Sequence, residues 1–440
     1  MKRQELIEID KRHVWHPYTP MQEYIERGEP LVIAEARGAV LRDVDGRSYY
    51  DGNASWWTAL LGHNHPRLIE ALHDQSRKMC HVAFGGMTHE PAVLLAEKLA
   101  ARAPGEMPHV FFSDNGSTAV EAALKMSLQF HKQNGAPERT RFVALEHAFH
   151  GETLGVTSLG GVDAFRQAFD GSLPLTVYHA PSPGAHGQTV ESAVQSLSGL
   201  LERHGSSIAA MVVEPLIQGA GGMLMHPPSY LSEVRRLTRE YGVHLIVDEV
   251  FTGYGRTGTF WASEQAGIEP DILCTAKGLS GGVLPFAATL TRTEIFEGFF
   301  GDPSRAFYYG HTFAGNPLGA RVALEVLTVY EEEAVLEGIP ERSRRLRGLI
   351  ERVAAAHPGA RRPRSLGMCG AVELGDGADY LNRLGWRVFD EAKKRGAYLR
   401  PLGNVVYLAP PLNIPLSDLD ALIAIVEESI DIVMREYGKA

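Results

Sequence analysis

Cysteine is scarce in this chain: three in 440 residues, Cys80, Cys274 and Cys369, far apart in the sequence. That spacing builds neither a disulfide framework nor a zinc site, and it suggests a reducing cytoplasm. Basic charge is also short. With 43 Lys and Arg against 53 Asp and Glu, a formal net charge of −10, the chain lacks the positive face that nucleic acid or an anionic membrane needs. Neither is expected as a partner. No uninterrupted apolar run approaches the roughly 18 residues of a membrane span, and the charged opening Met1-Lys-Arg-Gln-Glu lacks the apolar core of a signal peptide. The 18 histidines, His63-Asn-His65 and His147-Ala-Phe-His150 among them, form no His-Glu-x-x-His helix with a third ligand, so no metal is assigned. There is no Walker loop, and the glycine-rich Gly219-Ala-Gly-Gly222 opens no clear helix, which weakens a nicotinamide enzyme.

What remains, at 44% hydrophobic and 22% charged, is a globular chain of about two domains suited to small metabolites. Helices and strands alternate. A helix over Ala92 to Ala103 precedes a strand Val110-Phe-Phe112, the loop Ser113-Asp-Asn-Gly-Ser117 and a helix from Thr118 to about His131. Strands follow at Arg141 to Leu145, Ala209 to Pro215, His244 to Asp248 and Ile272 to Ala276, with a helix from Tyr230 to Tyr241 between the middle two. This is an α/β pattern, a mainly parallel sheet covered on both faces, and such sheets bind ligands at their strands' carboxyl ends. From Asn316 a long helical pattern leads into a charged helix near Glu341 to Ala355, and the Pro/Arg-rich His357 to Arg364 reads as a boundary. Beyond it, strands Cys369 to Leu374 and Val405 to Ala409 alternate with helices Tyr380 to Arg395 and Leu416 to Tyr437, a smaller α+β unit. The hairpin pattern Leu41 to Tyr50 around Asp45-Gly46 packs the N-terminal segment with it.

Chemistry gathers at the strand ends. Lys277 follows an apolar strand and precedes Gly278, Gly281 and Gly282, where a Schiff-base lysine would be useful. Asp248 ends the strand His244-Leu-Ile-Val, where a carboxylate could hold a pyridinium nitrogen protonated. Each has a plainer reading: a lone lysine there is ordinarily solvated, and an aspartate there ordinarily caps a helix. Gly116 and Ser117 open a helix and could take a phosphate on its N–H groups, or Asn115, Ser117 and Thr118 are ordinary caps. Phe149, just past the strand Arg141 to Leu145, could stack on a flat cofactor or belong to the core. The combination carries the argument.

Together these residues resemble the class III, fold-type I, pyridoxal-phosphate aminotransferases over nearly the whole chain. The motifs are Ser113-Asp-Asn-Gly-Ser-Thr-Ala-Val-Glu-Ala-Ala-Leu-Lys125, Phe149-His-Gly151, Val213-Glu-Pro215, Ile246-Val-Asp-Glu-Val250, Gly253-Tyr-Gly-Arg-Thr-Gly258, Lys277-Gly278 and Thr312-Phe-Ala-Gly-Asn-Pro317. The resemblance implies a large domain over 61–330 with a mainly parallel seven-stranded sheet, and a small α+β domain from 1–60 and 331–440. It implies that pyridoxal phosphate is joined to Lys277, with Asp248 on the ring nitrogen, Gly116 and Ser117 on the phosphate, and Phe149 and His150 by the ring. His311 and Thr312 would reach the cofactor of a neighbouring subunit, so a homodimer is expected.

Members that cycle through glutamate resemble one another in an acid–arginine gate, and the corresponding places here hold Ala220 and Tyr407. A buried arginine without its acid is costly, so losing both together is coherent. Instead, His13-Val-Trp-His-Pro-Tyr18, Asp51-Gly-Asn-Ala-Ser-Trp56-Trp57, Gly62-His-Asn-His-Pro66, Phe84-Gly-Gly-Met-Thr-His89 and Leu399-Arg400-Pro401 are similar to members in biotin biosynthesis. Those move an amino group from S-adenosylmethionine, or in some relatives lysine, onto 8-amino-7-oxononanoate. By that resemblance Tyr18, Trp56, Trp57, Phe149, Gly310 and Arg400 contact substrate, Arg400 through its carboxylate. Trp56 and Trp57 could face a long aliphatic chain or a sulfonium, or be a core pair. Phe149 and Glu152 stand where Tyr and Asp are usual, and the Gly310-His311 pair leaves the donor open between adenosylmethionine and lysine. An ω-amine:pyruvate aminotransferase and a cofactor-binding regulator without turnover are the alternatives.

Overall fold

A computed structural model describes residues 2–185 and 187–438. After two helices, Arg3–His13 and Met21–Arg27, come three short antiparallel strands, β1 (Ile33–Arg37), β2 (Val40–Asp43) and β3 (Ser48–Asp51), of which β2 and β3 form the hairpin expected around Asp45-Gly46. Four strands then alternate with helices: β4 (His109–Ser113), β5 (Arg141–Leu145), β6 (Val177–Ala180) and β7 (Ile208–Val213). A two-residue pair, β8 (Ile217–Gln218) and β9 (Leu224–Met225), precedes β10 (His244–Asp248), β11 (Ile272–Thr275) and β12 (Ala287–Thr291). The last part holds β13 (Ala360–Leu366), β14 (Cys369–Leu374), β15 (Ala397–Tyr398) and β16 (Val405–Leu408), and closes with the helix Leu416–Tyr437.

The central sheet has seven strands in the order β4-β12-β11-β10-β7-β5-β6. Its middle strands are near-continuous apolar runs because helices cover both faces: every residue of β7, β11 and β12 is buried. β12 alone runs antiparallel to its neighbours β4 and β11, so the sheet is mainly parallel. The sequence reading did not single out β12 or β6. The carboxyl ends of β4, β5, β7, β10 and β11 deliver, in turn, the Gly116 loop, Phe149-His150, Glu214, Asp248 and Lys277 to one edge.

Two expectations are corrected. The stretch 357–364 is not simply a boundary, because β13 begins at Ala360 and pairs with β14. Pro363 is tolerated because β13 is the outer strand of a three-stranded sheet, and its register slips between Arg361 and Arg364, with Arg362 at φ 48°. The helix expected from Tyr380 begins only at Leu384, since the Asp379 and Asn382 side chains take the N–H groups of Leu381 and Leu384 in local turns. Near the centre, the helix expected from Thr118 begins two residues earlier, at Gly116. Among the described residues, no helix is long and apolar enough to cross a membrane and no group of side chains could hold a metal ion.

Leu273 lies in the middle of β11, fully buried in the largest apolar cluster. Leu273→Ala should destabilise the fold by about 2–5 kcal/mol through the cavity left behind. Arg361→Ala, on the exposed side of β13, should change it by less than about 0.5 kcal/mol. Urea-unfolding midpoints of the two variants check the contrast.

Candidate active site

Lys277 stands immediately past β11 with φ 44°, a left-handed conformation that only a strongly determined surrounding keeps in a non-glycine residue. Gly278 permits the tight turn, since a Cβ there would meet Leu60 Cδ1 at 2.4 Å. The Lys277 Nζ lies 4.5 Å from the Trp57 ring centroid and 6.0 Å from that of Phe251. Although the side chain is only part-exposed by area, its amine end is wrapped by these rings. Removal from water takes its pKa down to about 8, against the opposing pull of the Asp248 and Glu214 charges.

Asp248, at the end of β10, is buried and shares a 2.7 Å hydrogen bond between its Oδ2 and His150 Nδ1. Its Oδ1 accepts the Val250 N–H at 3.0 Å. Burial opposes a charged His150, but the bond to Asp248 and the charges of Asp248 and Glu214 hold its pKa above the ordinary value. His150 Nε2 has no protein partner among the described residues. Glu214, which entered the sequence reading only inside a motif, is buried behind this pair and accepts the N–H groups of Phe149 at 3.1 Å and Gly219 at 2.8 Å. Burial raises its carboxyl to about 7, in spite of the His150 charge.

The helix Gly116–Gln133 points its N-terminus toward the same edge. Asn115 caps it by accepting the Thr118 N–H at 3.0 Å, which leaves the N–H groups of Gly116 and Ser117 without a protein acceptor among the described residues. A Cβ on Gly116 would meet Val250 Cγ1 at 2.8 Å, so the loop lies against the segment that follows Asp248. The Ser117 hydroxyl accepts the Glu152 and Thr153 N–H groups at 3.1 and 3.0 Å. A nucleophilic amine, a buried carboxylate and a helix terminus with free donors suit an aldehyde, a pyridine nitrogen and a phosphate. The residues therefore fit the pyridoxal phosphate that the resemblance implies, and Phe149 lies at the same rim, 5.4 Å from Phe165.

Gly310, His311 and Thr312 are not gathered around Lys277. His311 Nε2 is 3.6 Å from Asp114 Oδ1, beside the Gly116 loop, while Gly310 and Thr312 are exposed between Tyr308 and Phe313, themselves 81% and 59% exposed.

The paired tryptophans sit on four consecutive left-handed residues, Ala54, Ser55, Trp56 and Trp57, at φ 47°, 45°, 57° and 70°. Such residues cost on the order of 1–2 kcal/mol each, and no glycine relieves them. The turn sends the rings to opposite sides. Trp57 packs 4.4 Å from Phe251 and faces Lys277; Trp56 opens into an outer cavity of about 1010 Å³ that Tyr18, His63, Trp386 and Arg400 also line. Lys277 does not line that cavity; Trp56 borders it, and the neighbouring Trp57 faces the lysine. The Arg400 guanidinium lies 5.5 Å from the Trp56 ring and 4.8 Å from Trp386, with no carboxylate paired to it among the described residues. Tyr18, 5.5 Å from Trp56, donates to Glu152 Oε1 at 2.7 Å, and burial together with that carboxylate pushes its phenol up. Trp386 and Phe251 carried no signal as site residues in the sequence, because their relation to the site exists only in space.

The family model for class-III aminotransferases matches residues 24–430. A curated relative from Geobacter sulfurreducens, an adenosylmethionine-8-amino-7-oxononanoate aminotransferase, is 40% identical, covering 98% of each chain. The crystal structure of adenosylmethionine-8-amino-7-oxononanoate aminotransferase from Methanocaldococcus jannaschii matches with a TM-score of 0.93 at 34% identity, over 98% of this chain and 99% of that one. A thermostable (S)-enantioselective omega-transaminase from Thermomicrobium roseum matches equally well in shape, with a TM-score of 0.93 at 31% identity over 99% of each chain.

Because the neutral amine is the form that attacks an aldehyde, its fraction rises as pH passes the amine's pKa. The rate at which cofactor-free protein captures pyridoxal phosphate should climb with pH to a half-maximum at about 8, well below the ordinary 10.5 of lysine. Stopped-flow absorbance across pH checks this, with Lys277→Arg expected to capture none.

Proposed function

The chain belongs to the class-III aminotransferases, which depend on pyridoxal phosphate, and from that premise we propose that it transfers the amino group of S-adenosylmethionine to 8-amino-7-oxononanoate. Nitrogen arriving at the C7 ketone gives 7,8-diaminononanoate, a step of biotin biosynthesis. When bound, pyridoxal phosphate supplies the electron sink that lets a C–H bond beside an amine ionise. The remaining work falls to the chain. Lys277, at a strand end with an amine that is neutral above about pH 8, takes a proton from the donor's Cα and returns it to the acceptor's reacting carbon. Asp248, positioned by its hydrogen bond to His150, would hold the proton on the ring nitrogen. Gly116 and Ser117 take the phosphate on their N–H groups. Trp57 and Phe251 keep water from the amine, which prevents stray hydrolysis.

The observation that carries the substrate reading is Arg400. A guanidinium held over Trp56 and Trp386, lining a cavity of about 1010 Å³ and with no carboxylate paired to it among the described residues, suits the carboxylate of an acceptor whose reacting ketone lies far along an aliphatic chain. The names of the relatives support the same substrates. Trp56 and Trp57 offer ring faces to the donor's sulfonium, worth about 0.5–2 kcal/mol each. Tyr18 contacts the keto substrate.

The exposed Tyr308 and Phe313 flanking Gly310, His311 and Thr312 are, in this reading, covered by a second copy whose cofactor those residues approach, in a homodimer working in the cytoplasm. A cofactor-binding unit over 61–330 and a smaller one from 1–60 with 331–440 belong to the same reading. The parallel pairing of β15 with β3, which ties the chain's two ends together, supports it.

The test is the visible absorption of the holoenzyme, mixed separately with S-adenosylmethionine, lysine and a simple ω-amine. Bleaching by S-adenosylmethionine, followed by recovery on adding 8-amino-7-oxononanoate, is expected. Bleaching by lysine alone would move the donor to lysine, and turnover only with an amine and pyruvate would make the chain an ω-transaminase, as the shape match to one favours. Arg400→Ala should raise KM for 8-amino-7-oxononanoate by about 10- to 100-fold, the loss of a charge-assisted pair. Steady-state kinetics with saturating donor measure it.

A further inference from the structure

The strained turn bearing Trp56 and Trp57 is held by groups that take no part in the chemistry above. Asp51, at the end of β3 and wholly buried, turns both carboxylate oxygens onto it: Oδ1 accepts the Asn53 N–H at 3.2 Å, and Oδ2 accepts the Ser55 hydroxyl at 2.8 Å. The same Oδ2 meets His63 Nε2 at 2.9 Å, which lies 3.5 Å from the Ser55 hydroxyl. His63 is itself fixed, its N–H and C=O exchanging hydrogen bonds of 2.7 and 3.0 Å with Gly38. From the other side, the Thr58 hydroxyl donates to the Ser55 carbonyl at 2.9 Å. Ser55 is the centre of the left-handed run, and its hydroxyl is spent on Asp51, so its role toward any substrate runs through the backbone it holds.

We propose that Asp51, Ser55 and His63 are positioning residues for substrate recognition: they clamp a left-handed turn that aims Trp57 at Lys277 and Trp56 at the outer cavity. An L-residue released from the clamp falls toward φ below zero, where successive side chains leave the turn in other directions. The two rings then no longer face the lysine and the outer cavity. The lysine, anchored on β11 and enclosed by Phe251 from another loop, keeps its place. The clamp therefore acts on recognition of the long substrate and not on the amine.

This rests on Trp56 and Trp57 walling the substrate site, a reading that Trp56→Ala tests separately. The holoenzyme variants Ser55→Ala and His63→Gln, with Asp51→Asn as a third, are compared for KM and kcat with 8-amino-7-oxononanoate. Two further readouts are the rate at which hydroxylamine, too small to need the tryptophans, reacts with the bound cofactor, and the near-ultraviolet circular dichroism of the tryptophans. Expected for Ser55→Ala and Asp51→Asn, the latter at a residue wholly buried and not lining the cavity, is a KM raised about tenfold, with kcat and the hydroxylamine rate within about twofold and the tryptophan signal changed; His63→Gln, at a residue that borders the cavity as Ser55 does, should follow them. A KM left unchanged in Ser55→Ala and Asp51→Asn, while Trp56→Ala raises it, overturns the clamp alone. A common fall of kcat, hydroxylamine rate and thermal midpoint also overturns it, since that is plain loss of structure. No rise of KM in Trp56→Ala sinks the substrate-wall reading and the clamp with it.

Discussion

The buried hydrogen bond between His150 and Asp248 is the constraint around which the rest of the site is arranged. It ties the loop after β5 to the end of β10, two strands that are not neighbours in the sheet, and the Val250 N–H holds the second carboxylate oxygen. The Asp248 charge also opposes, without cancelling, the desolvation that lowers the Lys277 amine. Glu214 completes the arrangement by taking backbone N–H groups from the two loops, at Phe149 and Gly219, that border the pair. An acid, a base and an amine within one enclosure thus set one another's charge.

Part of the backbone strain lies in the same region. Trp56, Trp57 and Lys277 all have positive φ, and Tyr18, beside Trp56, does too. Strained residues of this kind persist where their neighbours over-determine them, and here the neighbours are unusually firm: β11 and Gly278 under the lysine, Asp51 and His63 under the tryptophans. Stability given up locally returns as side chains aimed in directions that ordinary helix or strand geometry does not provide.

The site is shaped as much by what it lacks. Where glutamate-using relatives carry an acid and an arginine, Ala220 and a buried Tyr407 stand, and Tyr407 packs 6.2 Å from Trp57. No charged gate competes for the chamber, so its wall stays aromatic. The Arg400 guanidinium lies beside Trp56 and Trp386, on the cavity that Trp56 borders.

Much of this was legible in the linear chain. Apolar runs such as Ile208–Val213 and Ile272–Thr275 announce strands buried on both faces, and residues at their ends must share an edge because parallel strands deliver their carboxyl termini together. Lys277, Asp248 and Gly116 could be named before any coordinates for that reason, while His150 came from the family resemblance. Most strand ends were local enough to read, but the helix starts at Gly116 and Leu384 and the edge position of Pro363 were not. What only the tertiary structure decided is everything that depends on direction and on distant partners. That Trp56 and Trp57 turn away from each other rests on a left-handed turn clamped by a carboxylate and an imidazole. That Trp386 meets Arg400 rests on the helix Leu384–Lys394 folding back on the segment after β15, and that Glu214 meets the loop of Phe149 rests on the pairing of β5 with β7. Hydrophobic periodicity encodes which face a residue shows to the core, but φ at an unfavourable residue and contacts between distant segments are set by the packed whole.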